Sequence, residues 1–496
     1  MYAFVPLDSH LSTPLYRQLY EGLRDAILTG RLAAGVRLPS SRSLVDDFKV
    51  SRTTVCLALD QLRAEGYIAA RRGSGTYVAS TLPDDFLRVR QRGQVNSVSS
   101  RNKAPLSKRG RAIAATTIGP LSMHRGPPRA FRAGSDPHCF PAGLWGSLMA
   151  RRWRQPPRGF FGIGAPEGYR PLRVAIAEYL KSARGVRCEA DQILILNGSQ
   201  QALDITARVL LDPDDVAWVE DPGYLGDHAA LIAAGARFVG VPVDREGIIV
   251  ERGIQLAPRA RLAFVKPSHQ YPLGMTMSLA RRFALLDWAR RAGAWIVEDD
   301  YDSEYRYCCR PLASLQGLDT DGRVVYTGSF SKVLASSLRL GYAVVPPELV
   351  DAFARARAAS DRTSPTLEQV VLADFINEGH FARHIRRTRT LYEARRDALI
   401  AAAKEYLDGM LELKAPDGGM QAVGWLQGNW DDRVLASAAL GENVEAPAVS
   451  DLYLKRPKRG GFVLGFASVD EDSLLAGVRG LAKVFERTRP MQSAAS

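Results

Sequence analysis

Five short apolar runs dominate the middle of the chain: QILILN (192–197), DVAWVE (215–220), RLAFVK (261–266), AWIVED (294–299) and RVVYTG (323–328). Their apolar residues are consecutive rather than alternate, so both faces of each strand need cover. Segments of helical period flank or separate them, among them RPLRVAIAEYLKSA (170–183) and SLARRFALLDWARRA (278–292). Strands buried on both faces and alternating with helices predict an α/β fold with a mostly parallel sheet and helices on both faces. A chain of 496 residues exceeds one such core and has room for roughly two to four domains.

Two other regions differ in composition. Residues 1–80 end in a stretch, 12–80, that reads as three helices and a hairpin. Residues 81–128 are polar and basic: from 81 to 129, ten Lys or Arg stand against two acids, Asp84 and Asp85. That composition predicts a mobile linker able to touch phosphates. The α/β pattern fills 129–490, with a small α+β subdomain from about 346. The net charge of +13, from 66 basic and 53 acidic residues, favours a polyanionic partner. Five scattered cysteines (56, 139, 188, 308 and 309) make no disulfide framework and no metal site, so a reducing compartment is expected. The start, MYAFVPLDSH, carries no cationic stretch followed by an apolar run. No apolar segment approaches the ~18 residues that span a membrane. A cytoplasmic protein without membrane contact is the expectation.

In the first region, Ser40 or Ser41 can cap a short helix whose Leu44, Val45 and Phe48 face inward. A tight turn through Lys49 and Val50 leads to Ser51, a second cap, and the following helix places Val55, Leu59 and Leu62 on one face. Gly66 suits the position after its end. YIAA and TYVA, joined by RRGSG, form a hairpin. This is the plan of a winged helix-turn-helix. Its second helix opens on Ser51, Arg52, Thr53 and Thr54, donors suited to phosphates and guanine edges.

In the large region, NGSQQALD (197–204), EDPGY (220–224), KPSHQYPLG (266–274), VEDDYDSEYRY (297–307) and the segment with Lys332 and Arg339 each follow an apolar strand. That is where α/β sheets build ligand sites. A lysine in dry surroundings has a lowered pKa and can attack an aldehyde. A carboxylate at a strand end can hold a pyridinium nitrogen charged. Glycine and serine opening a helix offer amides to a phosphate, an arginine completes the cage, and a tyrosine can cover a ring face.

These motifs carry a resemblance. LPSSRSL, VSRTTV and GSGTYVA resemble the GntR family of regulators, and the large region resembles fold-type I aminotransferases. Joined by a basic linker, they resemble the MocR/GabR-type subgroup, to which PSHQYP, EDDYDSEYRY and SFSK…LRLGY are specific. The resemblance implies that Lys332 bonds pyridoxal 5′-phosphate, Asp299 pairs with its ring nitrogen, Tyr301 bonds its ring hydroxyl and Tyr224 stacks on the ring. Gly198, Ser199, Gln200, Ser329 and Arg339 would hold the phosphate. Arg42, Ser51, Arg52, Thr53 and Thr54 would meet operator DNA, with Gly73 in the minor groove. A head-to-tail homodimer is implied, and a sensor for a small amino-group effector or for the cofactor itself rather than an enzyme.

Four positions depart from the pattern. Cys56 stands where some members contact DNA with arginine, Val463 where aminotransferases clamp a substrate carboxylate with arginine, Gly226 where GABA-sensing members offer arginine, and Ile163 where an aromatic reaches the partner's phosphate. The rival reading is a working aminotransferase with an appended DNA-binding domain.

Overall fold

The computed structural model describes residues 5–9, 11–71, 74–82, 106–116, 129–308, 313–455 and 457–488. The chain divides into two compact units, Met1–Pro105 and Leu106–Ser496. Gly73 and most of the 81–128 segment lie outside the described residues.

The first unit holds three helices, α1 (Leu15–Leu28), α2 (Ser41–Phe48) and α3 (Arg52–Ala64), then a hairpin of β1 (Ile68–Arg71) and β2 (Gly75–Val78). Ser40 is the cap of α2, its Oγ accepting from the Ser43 N–H at 3.2 Å. Lys49 supplies the tight turn in the left-handed region at φ 52°. Leu19, Leu23, Leu44, Val55, Leu59 and Leu62 make the core, with Val45 and Phe48 packed at its edge.

The second unit is built on an eight-stranded sheet. In chain order its strands are β3 (Ile193–Leu196), β4 (Val216–Asp221), β5 (Arg237–Asp244), β6 (Gly247–Ile248), β7 (Leu262–Val265), β8 (Trp295–Asp300), β9 (Val324–Ser329) and β10 (Gly341–Val344). Their spatial order is β3-β10-β9-β8-β7-β4-β5-β6. The pairs from β5 through β4, β7 and β8 to β9 are parallel. The expected parallel sheet is interrupted at both sides: β10 runs antiparallel between β9 and β3, and β6 antiparallel to β5 at the other edge. Consecutive burial along β3 and β7 matches their unbroken apolar runs.

A second, three-stranded antiparallel sheet of β11 (Leu411–Leu413), β12 (Gln421–Leu426) and β13 (Gly461–Gly465) lies in the C-terminal part. The chain near 130 joins it: Ala130 bridges to Val444 and Phe131 to Gly465. The smaller subdomain therefore recruits residues far upstream of 346. The described part of the expected linker also departs from expectation. Residues 106–116 belong to the second unit, and Lys108–Ala114 form a helix capped by Ser107, whose Oγ accepts from the Gly110 N–H at 2.9 Å. That helix packs against Leu225–Ala234, with Arg109 beside Gly235. Among the described residues no helix is long and apolar enough to cross a membrane.

Candidate functional site

A cavity of about 280 Å³ opens at the carboxyl ends of the large sheet. It brings together all nine residues expected in a cofactor site: Gly198, Ser199, Gln200, Tyr224, Asp299, Tyr301, Ser329, Lys332 and Arg339. It adds six that sequence reasoning left without a role: Ala133, Lys266, Tyr271, Ser331, Ser336 and Gln421.

The consecutive acids at the end of β8 illustrate how the strand sorts charge, since neighbouring side chains leave a strand on opposite faces. Glu298 turns away from the cavity and accepts from the N–H groups of Leu315 and Gln316 at 2.9 and 2.8 Å. Asp300 accepts from Arg184 Nε at 2.9 Å and from the Tyr326 hydroxyl at 2.5 Å. Asp299 alone lines the cavity, where Thr327 Oγ1 donates to it at 3.1 Å. Burial raises its pKa to about 6, with Lys266 opposing the rise.

Two lysines line this cavity, and their surroundings differ. Lys266 follows β7 and is 2% exposed. Its Nζ lies 2.7 Å from Asp227 Oδ2 and 4.0 Å from Asp299 Oδ2. Burial works against its charge, but Asp227, Asp299 and Glu220 together outweigh burial and raise its pKa. Burial lowers the pKa of Lys332, with Asp302 and Asp299 opposing more weakly. A lysine bound as a cation in a carboxylate cluster is a counter-ion, whereas one whose neutral amine is favoured is a nucleophile. Both follow buried apolar strands, a signal that marks either lysine and does not rank them.

At one end of the cavity the helix Ser199–Leu210 begins without a side-chain cap, and Gly198 holds φ 91°. A Cβ at Gly198 would stand 3.4 Å from Arg339 Nη2, so glycine lets the guanidinium close over the helix start. Arg339 donates to the Asn197 carbonyl at 2.9 Å and is itself held at φ 50°. Ser331 Oγ is buried with no hydrogen-bond partner among the described residues. Free amides, a guanidinium and serine hydroxyls converging on one point suit a dianion. Tyr224 Oη is 3.4 Å from Gln200 Oε1, and Tyr301 Oη is 3.0 Å from His269 Nδ1.

The two positions where the resemblance leads one to expect arginine are tightly packed. Val463 is 2% exposed and packs with Val449 and Leu452. A Cβ at Gly226 would fall 2.2 Å from Tyr224 Cε1 and 2.3 Å from Gln200 Oε1, so a side chain there would have to displace the Tyr224 ring and the Gln200 amide. Phe161 and Ile163 are 74% and 79% exposed, with the Phe161 ring beside Trp153.

In the first unit, Ser51 caps α3: its Oγ accepts from the Thr54 N–H at 3.1 Å and lies 2.8 Å from the Thr54 hydroxyl. Those two hydroxyls therefore hold the helix start. Arg42, Arg52 and Thr53 are exposed, and Cys56 is half-buried behind them.

A family model described as "Bacterial regulatory proteins, gntR family" matches residues 15–78, and one described as "Aminotransferase class I and II" matches residues 149–448. Over 484 residues the chain is 42% identical to the probable rhizopine catabolism regulatory protein MocR of Rhizobium meliloti, a match covering 97% of this chain and 95% of that protein. The chain belongs to the MocR-type subgroup of the GntR family. As a MocR-type protein it is a helix-turn-helix transcription regulator with an aminotransferase-like domain. This MocR-type chain is also 31% identical over 471 residues to the pyridoxine biosynthesis transcriptional regulator PdxR of Corynebacterium glutamicum, covering 95% of this chain and 96% of that one. The crystal structure of LysN, an alpha-aminoadipate aminotransferase from Thermus thermophilus, is similar with a TM-score of 0.70 and 30% identity, over 77% of this chain and 97% of that one.

Proposed function

We propose that the larger unit binds pyridoxal 5′-phosphate through Lys332, senses a small amino compound, and thereby alters the hold of the winged-helix unit on operator DNA within a homodimer. The contrast between the two cavity lysines carries this reading: Lys266 is bound to Asp227, while burial lowers the Lys332 pKa. The residues present fit the group. The uncapped helix start, Arg339 and the unpartnered Ser331 hydroxyl suit its phosphate, and Asp299 suits its ring nitrogen.

When bound, the cofactor supplies an aldehyde and a ring that withdraws electrons once its nitrogen is protonated. Asp299 keeps that proton in place as a carboxylate, and Lys266 helps keep Asp299 ionised against burial. Tyr224 and Tyr271 meet edge-to-face with centroids 6.0 Å apart and both line the cavity. Tyr301 is held by His269 at 3.0 Å, which orients its hydroxyl in the cavity.

Sensing rather than turnover is favoured by Val463 and Gly226. An α-amino acid entering this cavity would bring a carboxylate to a lining whose one arginine among the described residues, Arg339, sits at the helix start, and an unpaired carboxylate loses several kcal/mol of solvation. The relatives support regulation: the MocR relative is named for rhizopine catabolism and the PdxR relative for pyridoxine biosynthesis. The LysN structure holds a phosphopyridoxyl-leucine.

The test is borohydride reduction of the full chain after incubation with pyridoxal phosphate, followed by peptide mapping. The expected result is a phosphopyridoxyl group on Lys332. A label on Lys266, or no label, defeats the reading.

A further inference from the structure

Gln421 opens β12 and is 7% exposed, yet its Nε2 has no hydrogen-bond partner among the described residues. It lines the cavity that also holds Lys332 and Asp299. Its place is set by backbone pairing: Gln421 is opposite Gly465 of β13, and Phe131 bridges Gly465 from the other side. A buried amide left unpaired is unfavourable, so native structures rarely keep one without a use.

The rest of the lining says what kind of group could satisfy it. Among the described lining residues the cations are Lys266, Lys332 and Arg339. Lys266 is bound to Asp227 at 2.7 Å, and Arg339 sits at the helix start, donating to Asn197. Val423, paired with Val463 in the same two strands, extends an apolar surface beside Gln421. With Lys332 engaged by the cofactor on the reading above, a carboxylate placed here would meet one neutral amide and no further cation among the described lining residues, with Asp299 in the same cavity. One amide does not offset the loss of its solvation.

We infer that the effector is a primary amine whose body is uncharged and carries a hydroxyl or carbonyl that hydrogen-bonds the Gln421 amide. A hydroxyl fits best because it both donates and accepts, and so satisfies either end of the amide. Gln421 is then the specificity-determining residue on the small-sheet side of the cavity. The inference rests on the cofactor reading above, since the amine is sensed through the loaded unit.

The test uses the full chain loaded with pyridoxal phosphate and three amines on one carbon skeleton: isopropylamine, alaninol and alanine. The near-visible absorbance is titrated with each, compared at equal free-base concentration. Alaninol is expected to perturb the spectrum at a concentration at least about tenfold below isopropylamine, because a site built for a hydrogen bond rejects the analogue that lacks it. Alanine is expected to bind more weakly than either. Gln421→Leu should bring alaninol to the level of isopropylamine while isopropylamine itself is unchanged.

Alanine binding as tightly as alaninol overturns the inference, and so does Gln421→Leu retaining the full preference. If Gln421→Leu does not fold, the wild-type series decides alone: equal affinity for alaninol and isopropylamine overturns it. If the loaded protein absorbs normally but no amine changes the spectrum, the effector inference falls and the cofactor assignment stands. If no cofactor band forms at all, both fall.

Discussion

The cavity has two walls of opposite character. The large-sheet wall is dense with charge, and most of that charge is already satisfied. Glu298 and Asp300 are engaged behind it, Lys266 sits on Asp227, and Asp299 takes a hydrogen bond from Thr327. The small-sheet wall holds one amide without a partner among the described residues, Gln421, and the apolar cluster of Val463, Val449 and Leu452 belongs to the same subdomain but not to the cavity lining. The first wall suits a ligand of fixed charge distribution, with a dianion at one end and a basic nitrogen at the other. The second offers no ionic grip. A regulator can keep the cofactor wall of an enzyme and lose the substrate wall, because holding the cofactor and turning over an amino acid depend on different side chains.

Lys332→Ala should have the largest effect and breaks the comparison if it does not. With the nucleophile gone, borohydride followed by mass spectrometry should find no reduced adduct. An adduct on Lys266 would mean that its pairing with Asp227 does not keep it from reacting, and the two lysines would no longer be distinct.

Lys266→Met probes the charge balance of the large-sheet wall. It leaves Asp227, Asp299 and Glu220 without their cation, and a stranded buried charge costs about 3–5 kcal/mol. Urea unfolding of the full chain at about pH 8 should read that loss. Burial raises the pKa of Glu220 to about 7 and that of Asp299 to about 6. The loss should therefore shrink at about pH 5, where both acids take up protons. Unchanged stability at about pH 8 would remove Lys266 from the balance.

Asp299→Asn should act in the opposite direction. Its folded pKa of about 6 is raised above the ordinary value of about 4. The folded state therefore binds this proton more tightly than the unfolded state does. Stability is greatest below about pH 4, falls as pH rises from about 4 to 6, and stays reduced above that. The cofactor-free Asn variant should gain roughly 1–3 kcal/mol at about pH 8 and nothing near pH 4, while cofactor retention weakens. A gain confined to acid pH would reverse the sign of the argument.

Val463→Ala sharpens the other side with the smallest change. Removing two buried methyl groups should lower stability by about 1–2 kcal/mol, with the cofactor absorbance unchanged. A lost absorbance would show that the apolar wall helps hold the cofactor and would blur the contrast between the walls.

The strands and the order of the motifs were legible because they depend on local pattern. Consecutive apolar residues must be buried on both faces, and the residues just after such strands fall at one edge of the sheet. That ground marks the strand-end motifs, and the resemblance to fold-type I aminotransferases is what named Gly198, Asp299, Lys332 and Arg339 among them. The cap Ser51 was legible for the same reason, since a cap acts on an amide about three residues away, while the choice between Ser40 and Ser41 was settled for Ser40 only by the structure. What sequence could not decide was which buried charges meet. Lys266 and Lys332 each end an apolar stretch, and only packing brings Asp227, 39 residues from Lys266, within 2.7 Å of its ammonium. Likewise Gln421 is an ordinary strand residue until β13 and Phe131 fold around it and leave its amide buried in the cavity. Local pattern places a side chain on a face, but its protonation and its partners depend on groups distant in the chain, and those are set only when the tertiary structure excludes water from between them.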